Sequence, residues 1–120
     1  QKDNPVANID VDRFKRVVYN ISSNAKAAME KGGIFYIEIA IPENPKNTVN
    51  IIFSDTGKGI PEKFKKRIFE PFVSYNKKTG TGLGMAIVKK VIEEHNGNIT
   101  VESEIDKGAK FIVNIPILTP

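Results

Sequence analysis

The chain has 120 residues, room for one domain around one core, and its 40% hydrophobic and 27% charged content is that of a globular protein. No apolar run approaches the roughly 18–20 residues that span a bilayer, and the absence of cysteine excludes disulfide scaffolds and thiolate metal sites. The net charge of +4 is local. Between Pro61 and Thr79, Lys63, Lys65, Lys66, Arg67, Lys77 and Lys78 stand against Glu62 and Glu70, and the remainder is neutral. Positive potential there suits an anionic ligand, although a basic solvated loop is a common source of such a cluster. The missing initiator methionine and leader predict a segment of a longer protein.

Residues 1–9 are polar, with at most a short edge strand at Val6–Ile9. From Asp10, a cap candidate with Asp12, the residues Phe14, Val17, Val18, Ile21, Ala25, Ala28 and Met29 recur at helical spacing, and Gly32-Gly33 ends the pattern. Asn20 and Asn24 lie one turn apart on the margin of that apolar stripe, beside the small Ala27. Asparagine is a poor helix-interior residue. Two in register predict a row of amide oxygens facing a cleft, a donor type that suits a divalent cation on phosphates.

Ile34–Ile41 and Thr48–Ser54 read as a hairpin joined through Pro42-Glu43-Asn44-Pro45. The second strand delivers Asp55-Thr56-Gly57-Lys58-Gly59-Ile60-Pro61. A simple turn with a capping aspartate explains such a stretch; so does a carboxylate held to accept a hydrogen bond from an adenine amino group. Pro61–Arg67 reads as a short helix, followed by Ile68-Phe69-Glu70-Pro71-Phe72, a core plug on composition, and a polar loop over Val73–Thr79.

Thr79-Gly80-Thr81-Gly82-Leu83-Gly84 then opens a helix that runs from Gly82 to Asn96-Gly97. Alternate glycines before a helix start permit close backbone approach, and the free N–H groups of a first turn suit a phosphate. His95, the single histidine, sits on the apolar face near the helix end and reads as a packed residue with locally satisfied nitrogens. Ile99–Glu104 and Gly108–Ile115 close the chain as two strands. The order helix, hairpin, helix, hairpin predicts an α+β, two-layer sandwich. About three helices cover one face of a mixed, mostly antiparallel sheet of about five strands.

Four separated stretches now stand in a fixed order: Asn20-Ile21-Ser22-Ser23-Asn24-Ala25, Asp55-Thr56-Gly57-Lys58-Gly59, Phe69-Glu70-Pro71-Phe72 and Gly80-Thr81-Gly82-Leu83-Gly84. They resemble the asparagine, first glycine, phenylalanine and second glycine boxes of sensor histidine kinases, and the likeness extends from about Asp10 through Pro116. The resemblance implies a catalytic, ATP-binding domain over residues 1–120, with an ATP lid at about 61–81 and with the dimerisation domain that carries the phosphoacceptor histidine absent. It implies Asn24 as the Mg²⁺ ligand, Asn20 as its partner at the phosphates, and Asp55 as the adenine-recognising carboxylate.

Gly57, Gly59 and Ile60 would shape the base pocket, with Ala27 and Phe72 also on the nucleotide. Gly80, Thr81, Gly82, Leu83 and Gly84 would form the hinge and phosphate cradle, and Lys77 or Lys78 would reach the terminal phosphates. ATP-hydrolysing relatives generally place glutamate where Asn20 stands, so the resemblance implies phosphoryl transfer, with very slow hydrolysis. Ala27 departs from the family, many of whose members carry a basic residue there. The implied partners are the protein's own dimerisation domain and a response regulator, in a homodimeric, cytoplasmically placed kinase whose catalytic domain touches neither nucleic acid nor membrane. An ATP-dependent switch or serine kinase of the same superfamily, resembling anti-sigma factors, is the rival reading. A nucleic-acid module is weaker, because the basic cluster lacks interleaved stacking aromatics.

Overall fold

The computed structural model describes residues 6–73 and 84–118. Helix α1 (Val11–Ala28) begins where Asp10 Oδ1 accepts the N–H of Arg13 at 3.1 Å. This side-chain cap satisfies one of the donors that a helix start leaves unpaired. Phe14, Val17, Ile21 and Ala25 are its buried stripe, while Val18, assigned to that stripe by spacing, lies on its exposed margin. A hairpin follows, β1 (Phe35–Ala40) and β2 (Thr48–Asp55), extended by one more pair through the N–H of Thr56 on the carbonyl of Ile34 at 3.2 Å. The short α2 (Glu62–Lys65) precedes α3 (Gly84–Glu94), β3 (Asn98–Ser103) and β4 (Ala109–Pro116).

The four strands pair in the order β1-β2-β4-β3, every neighbour antiparallel. Among the described residues Val6–Ile9 forms no strand; the carbonyl of Val6 accepts the N–H of Leu118 at 2.6 Å beyond the end of β4. Alternation decides the faces, since successive strand residues point to opposite sides. Val49 and Phe53 of β2, Phe111, Val113 and Ile115 of β4 and Ile99 of β3 turn toward the helices and join Val17, Ile21, Val88, Val91 and Ile92 in one core. The helix layer stops short of β1. Ile37 and Ile39 lie on the helix side of the sheet yet are 48% and 66% exposed, because α1 packs over β2 and α3 toward β3.

Helix α3 ends in a Schellman motif. The N–H of Gly97 returns to the carbonyl of Ile92 and that of Asn96 to Glu93, both at 3.0 Å, with Asn96 in the left-handed region at φ 63°. Gly97 has a second constraint: a Cβ there would collide with the backbone carbonyl of Asn114 in β4. Helix end and sheet are thus fitted together by one residue without a side chain.

Ile92 is fully buried where α3 meets the sheet. Ile92→Ala should lower unfolding free energy by about 2–4 kcal/mol, against less than about 0.5 kcal/mol for Ile39→Thr on the uncovered margin. Urea unfolding of both variants measures the contrast.

Candidate functional site

Helix α1 is touched at both ends of its second half. The side-chain amide of Asn20 donates to the carbonyl of Gly84, the first described residue of α3, at 3.2 Å. Two turns later the carbonyl of Ala28 accepts the N–H of Lys58 at 3.1 Å, which ties the Asp55–Gly59 loop to the helix end. Asn24 stands between, half-buried like Asn20. At 1.5 Å per residue, the eight residues from Asn20 to Ala28 span about 12 Å. Asn20 and Asn24 thus lie on the stretch of α1 that has Gly84 of α3 at one end and the Asp55 loop at the other.

Asp55 closes β2 with its carboxylate half-buried. Oδ1 accepts from the N–H of Gly57 at 2.8 Å and from that of Ala109 at 3.3 Å, the latter from β4. Oδ2 accepts from no donor among the described residues. Burial raises the Asp55 pKa above its ordinary value, and the two backbone bonds only partly offset that desolvation. A carboxylate with one oxygen fixed by the backbone and the other unclaimed can accept an amino group of a ligand.

The glycines divide into two kinds. A Cβ on Gly57 would lie 2.6 Å from the carbonyl oxygen of Ala28, and Gly59, at φ 77°, abuts the backbone of Glu104. Those two are required by the fold itself. Gly84 is different, for the atoms nearest to an added Cβ belong to Asn20 at 3.8–4.0 Å, an ordinary contact. Among the described residues nothing demands glycine at position 84, where alanine is the better helix former.

The other predicted residues distribute unevenly. Ile60 is 3% exposed, within the core, its N–H held by Ser103 Oγ at 2.8 Å while that hydroxyl donates to the carbonyl of Gly108 at 2.8 Å. The loop is thereby pinned to the β3–β4 turn. Ser103 had no local signal in the sequence, lying 43 residues from its partner. Ala27 lies half-buried on α1. The Phe69–Phe72 pair splits: Phe69 meets the Phe111 ring edge-on at 6.3 Å, whereas Phe72 is 77% exposed with φ 65°. Lys77, Lys78, Gly80, Thr81, Gly82 and Leu83 lie outside the described residues. Of the basic cluster before them, Lys65 is held by Glu62 at 3.0 Å and by the carbonyl of Ser103 at 3.2 Å, and Arg67 pairs with Glu70 at 3.4 Å. Among the described residues no three carboxylates or histidines gather into a metal cluster, and no helix is long and apolar enough to cross a membrane.

A half-buried carboxylate at a strand end, two asparagines of one helix and an uncrowded glycine on the facing helix thus lie along one side of α1. Residues 9–119 match the family model of histidine kinase-, DNA gyrase B- and HSP90-like ATPases. Sporulation kinase A of Bacillus subtilis (strain 168) is 39% identical over 116 residues, covering 97% of this chain and 18% of that protein. Sensor histidine kinase TmoS of Ectopseudomonas mendocina is 33% identical over 120 residues, covering 96% of this chain and 12% of that protein. The nucleotide-free catalytic domain of histidine kinase ThkA superposes with a TM-score of 0.77 at 34% identity, covering 92% of this chain and 71% of that one. Full-length ShkA, in complex with AMPPNP, gives 0.80 at 29% identity, covering 98% of this chain and 24% of that one. The chain belongs to this ATPase family and is a histidine kinase catalytic domain, spanning less than a fifth of the sporulation kinase and TmoS sequences it matches.

The raised pKa of Asp55 fixes the sign of a pH effect. A group whose folded pKa lies above its unfolded value contributes stability that is complete below the unfolded value and is lost as pH rises through the folded one. Asp55→Asn keeps an acceptor for Gly57 and Ala109 but cannot ionise. The variant should match wild type in acid and gain on it as pH rises through the carboxylate range to neutrality, which urea unfolding between pH 3 and pH 7 would read out.

Proposed function

We propose that the domain binds Mg·ATP along α1 and presents the γ-phosphoryl group to a histidine on a separate dimerisation domain, for relay to a response regulator, within a homodimeric parent kinase. The observation that carries this reading is the order of positions on α1: Gly84 held at Asn20, and the Asp55 loop held at Ala28, with Asn24 midway in sequence. An adenine at Asp55 and phosphates at the head of α3 would stand about two helical turns apart. The AMPPNP complex of the ShkA relative supports an adenine nucleotide as ligand.

Each residue has a defined task. The free oxygen of Asp55 accepts the exocyclic amine of adenine and repels the carbonyl that guanine places there. Gly84 lets phosphate oxygens approach the first N–H groups of α3, whose dipole favours negative charge. Asn24 offers one hard oxygen to Mg²⁺, whose remaining ligands would be phosphate oxygens and water. The cation supplies charge neutralisation during transfer. Asn20 has its amide nitrogen engaged by Gly84 and cannot take a proton from water at neutral pH; a glutamate in its place could not donate that bond. The site therefore keeps ATP intact for a side-chain nucleophile. Ile60, buried, acts by holding the Asp55 loop.

Gly84→Ala separates ligand from fold. Unfolding free energy should be unchanged or raised by up to about 1 kcal/mol, while ATP affinity falls about tenfold or more as the methyl group meets the phosphates. Titration calorimetry and urea unfolding of one preparation give both numbers, and unaltered affinity would remove Gly84 from the site. Asn24→Ala should bind ATP with little response to Mg²⁺, where wild type binds more tightly with the cation. The purified domain should release phosphate from ATP very slowly; rapid steady-state turnover would overturn the transfer reading.

A further inference from the structure

His95 lies just past the end of α3, about 16 Å along the helix from Gly84. Its Nδ1 is 2.8 Å from the carbonyl of Val91. That oxygen only accepts, so Nδ1 carries the proton. Its Nε2 is then a bare lone pair, and it accepts the backbone N–H of Asp10, the N-cap of α1, at 2.9 Å across 85 residues of sequence. The ring also receives Phe14 edge-on at 5.8 Å, and Arg13 of α1 pairs with Glu94 of α3 alongside.

From these contacts we infer that His95 is a positioning residue: it locks the far end of α3 to the cap of α1, so that Gly84 stays against Asn20, and the lock opens when the imidazole is protonated. The inference rests on the nucleotide reading of that site. Two contacts, Asn20 on Gly84 and Asp10 on His95, bracket the helix pair. Releasing one loosens the hold of α1 on that end of α3, and binding weakens by the fraction of molecules in which Gly84 has moved. Protonated Nε2 becomes a donor facing a donor. Among the described residues the charged groups around it are Asp10 at the cap of α1, Arg13 of α1 and Glu94 of α3, with no charged residue in the 115–118 segment that lines the same cleft. The opposed N–H groups are what open the lock.

Two variants divide the histidine's roles. His95→Gln places an amide oxygen near the Nε2 position and keeps an acceptor for Asp10 at every pH, whereas His95→Asn reaches only the Nδ1 position. In nucleotide-free protein, NMR hydrogen exchange at the Asp10 amide should be about tenfold faster in His95→Asn than in wild type at pH 7.5 and near wild type in His95→Gln. Equal exchange in all three overturns the lock. For Mg·ATP, wild-type affinity should drop about fivefold more than that of His95→Gln between pH 7.5 and pH 5.5, the worth of one ordinary hydrogen bond. Any contribution from Asp55 is shared by both proteins and cancels. Parallel pH profiles would overturn the positioning role. If His95→Asn does not fold, the wild-type and His95→Gln profiles decide alone. If Asp10 exchange responds as stated but no form binds Mg·ATP, the lock stands as an element of the fold and the nucleotide reading is what fails.

Discussion

Helix α1 is the constraint on which the remainder depends. A helix can present one buried stripe, its margins and two ends, and this one uses the stripe, one margin and both ends. Phe14, Val17, Ile21 and Ala25 form the stripe on the core; Asn20 and Asn24 form the margin toward α3 and the Asp55 loop. Its last carbonyl is taken by Lys58, and its cap N–H by His95. A rotation of α1 by one residue, about 100°, would bury an asparagine and break both ties at once. The polar row is held in place by the apolar one, and packing therefore sets the geometry of the site.

Cost and function part company at two residues. Asp55 ionised in a half-buried place works against stability near neutral pH, since burial raises its pKa further than the two backbone N–H groups lower it. Its neighbours Gly57 and Gly59 are glycine because backbone atoms of Ala28 and Glu104 leave no space. Gly84 has space and is glycine all the same. Residues that a fold requires and residues that a fold merely tolerates are distinguishable in this way without any ligand present, and Asp55 and Gly84 fall in the second group.

The sequence made the elements legible because their signals are local. Helical spacing from Phe14 to Ala25, β-branched runs on either side of Pro42–Pro45 and the Asn96-Gly97 stop each announce themselves within a turn or two. The order of the four boxes carried the family. What sequence could not show are the ties between distant segments: Asp10 to His95, Ile60 to Ser103, Ala109 to Asp55. A serine in a strand or a histidine on a helix carries no mark of a partner 43 or 85 residues away. Hydrophobicity also fails to mark edges, for Ile37 and Ile39 lie beyond the reach of the helix layer, and Val18 belongs to the stripe by spacing but to its margin by packing.

The position of Asn20 joins these threads. A carboxylate at 20 would bring general-base chemistry to water and lose the amide that holds the carbonyl of Gly84. On the proposed reading the same side chain thus bears on two properties, how long ATP survives in the site and how Gly84 is held against α1. Asparagine serves both, because its nitrogen donates to the backbone and its oxygen is too weak a base to activate water. On that proposed reading, such a site gains nothing by turning over its nucleotide alone, and its chemistry is complete when a nucleophile arrives on another surface.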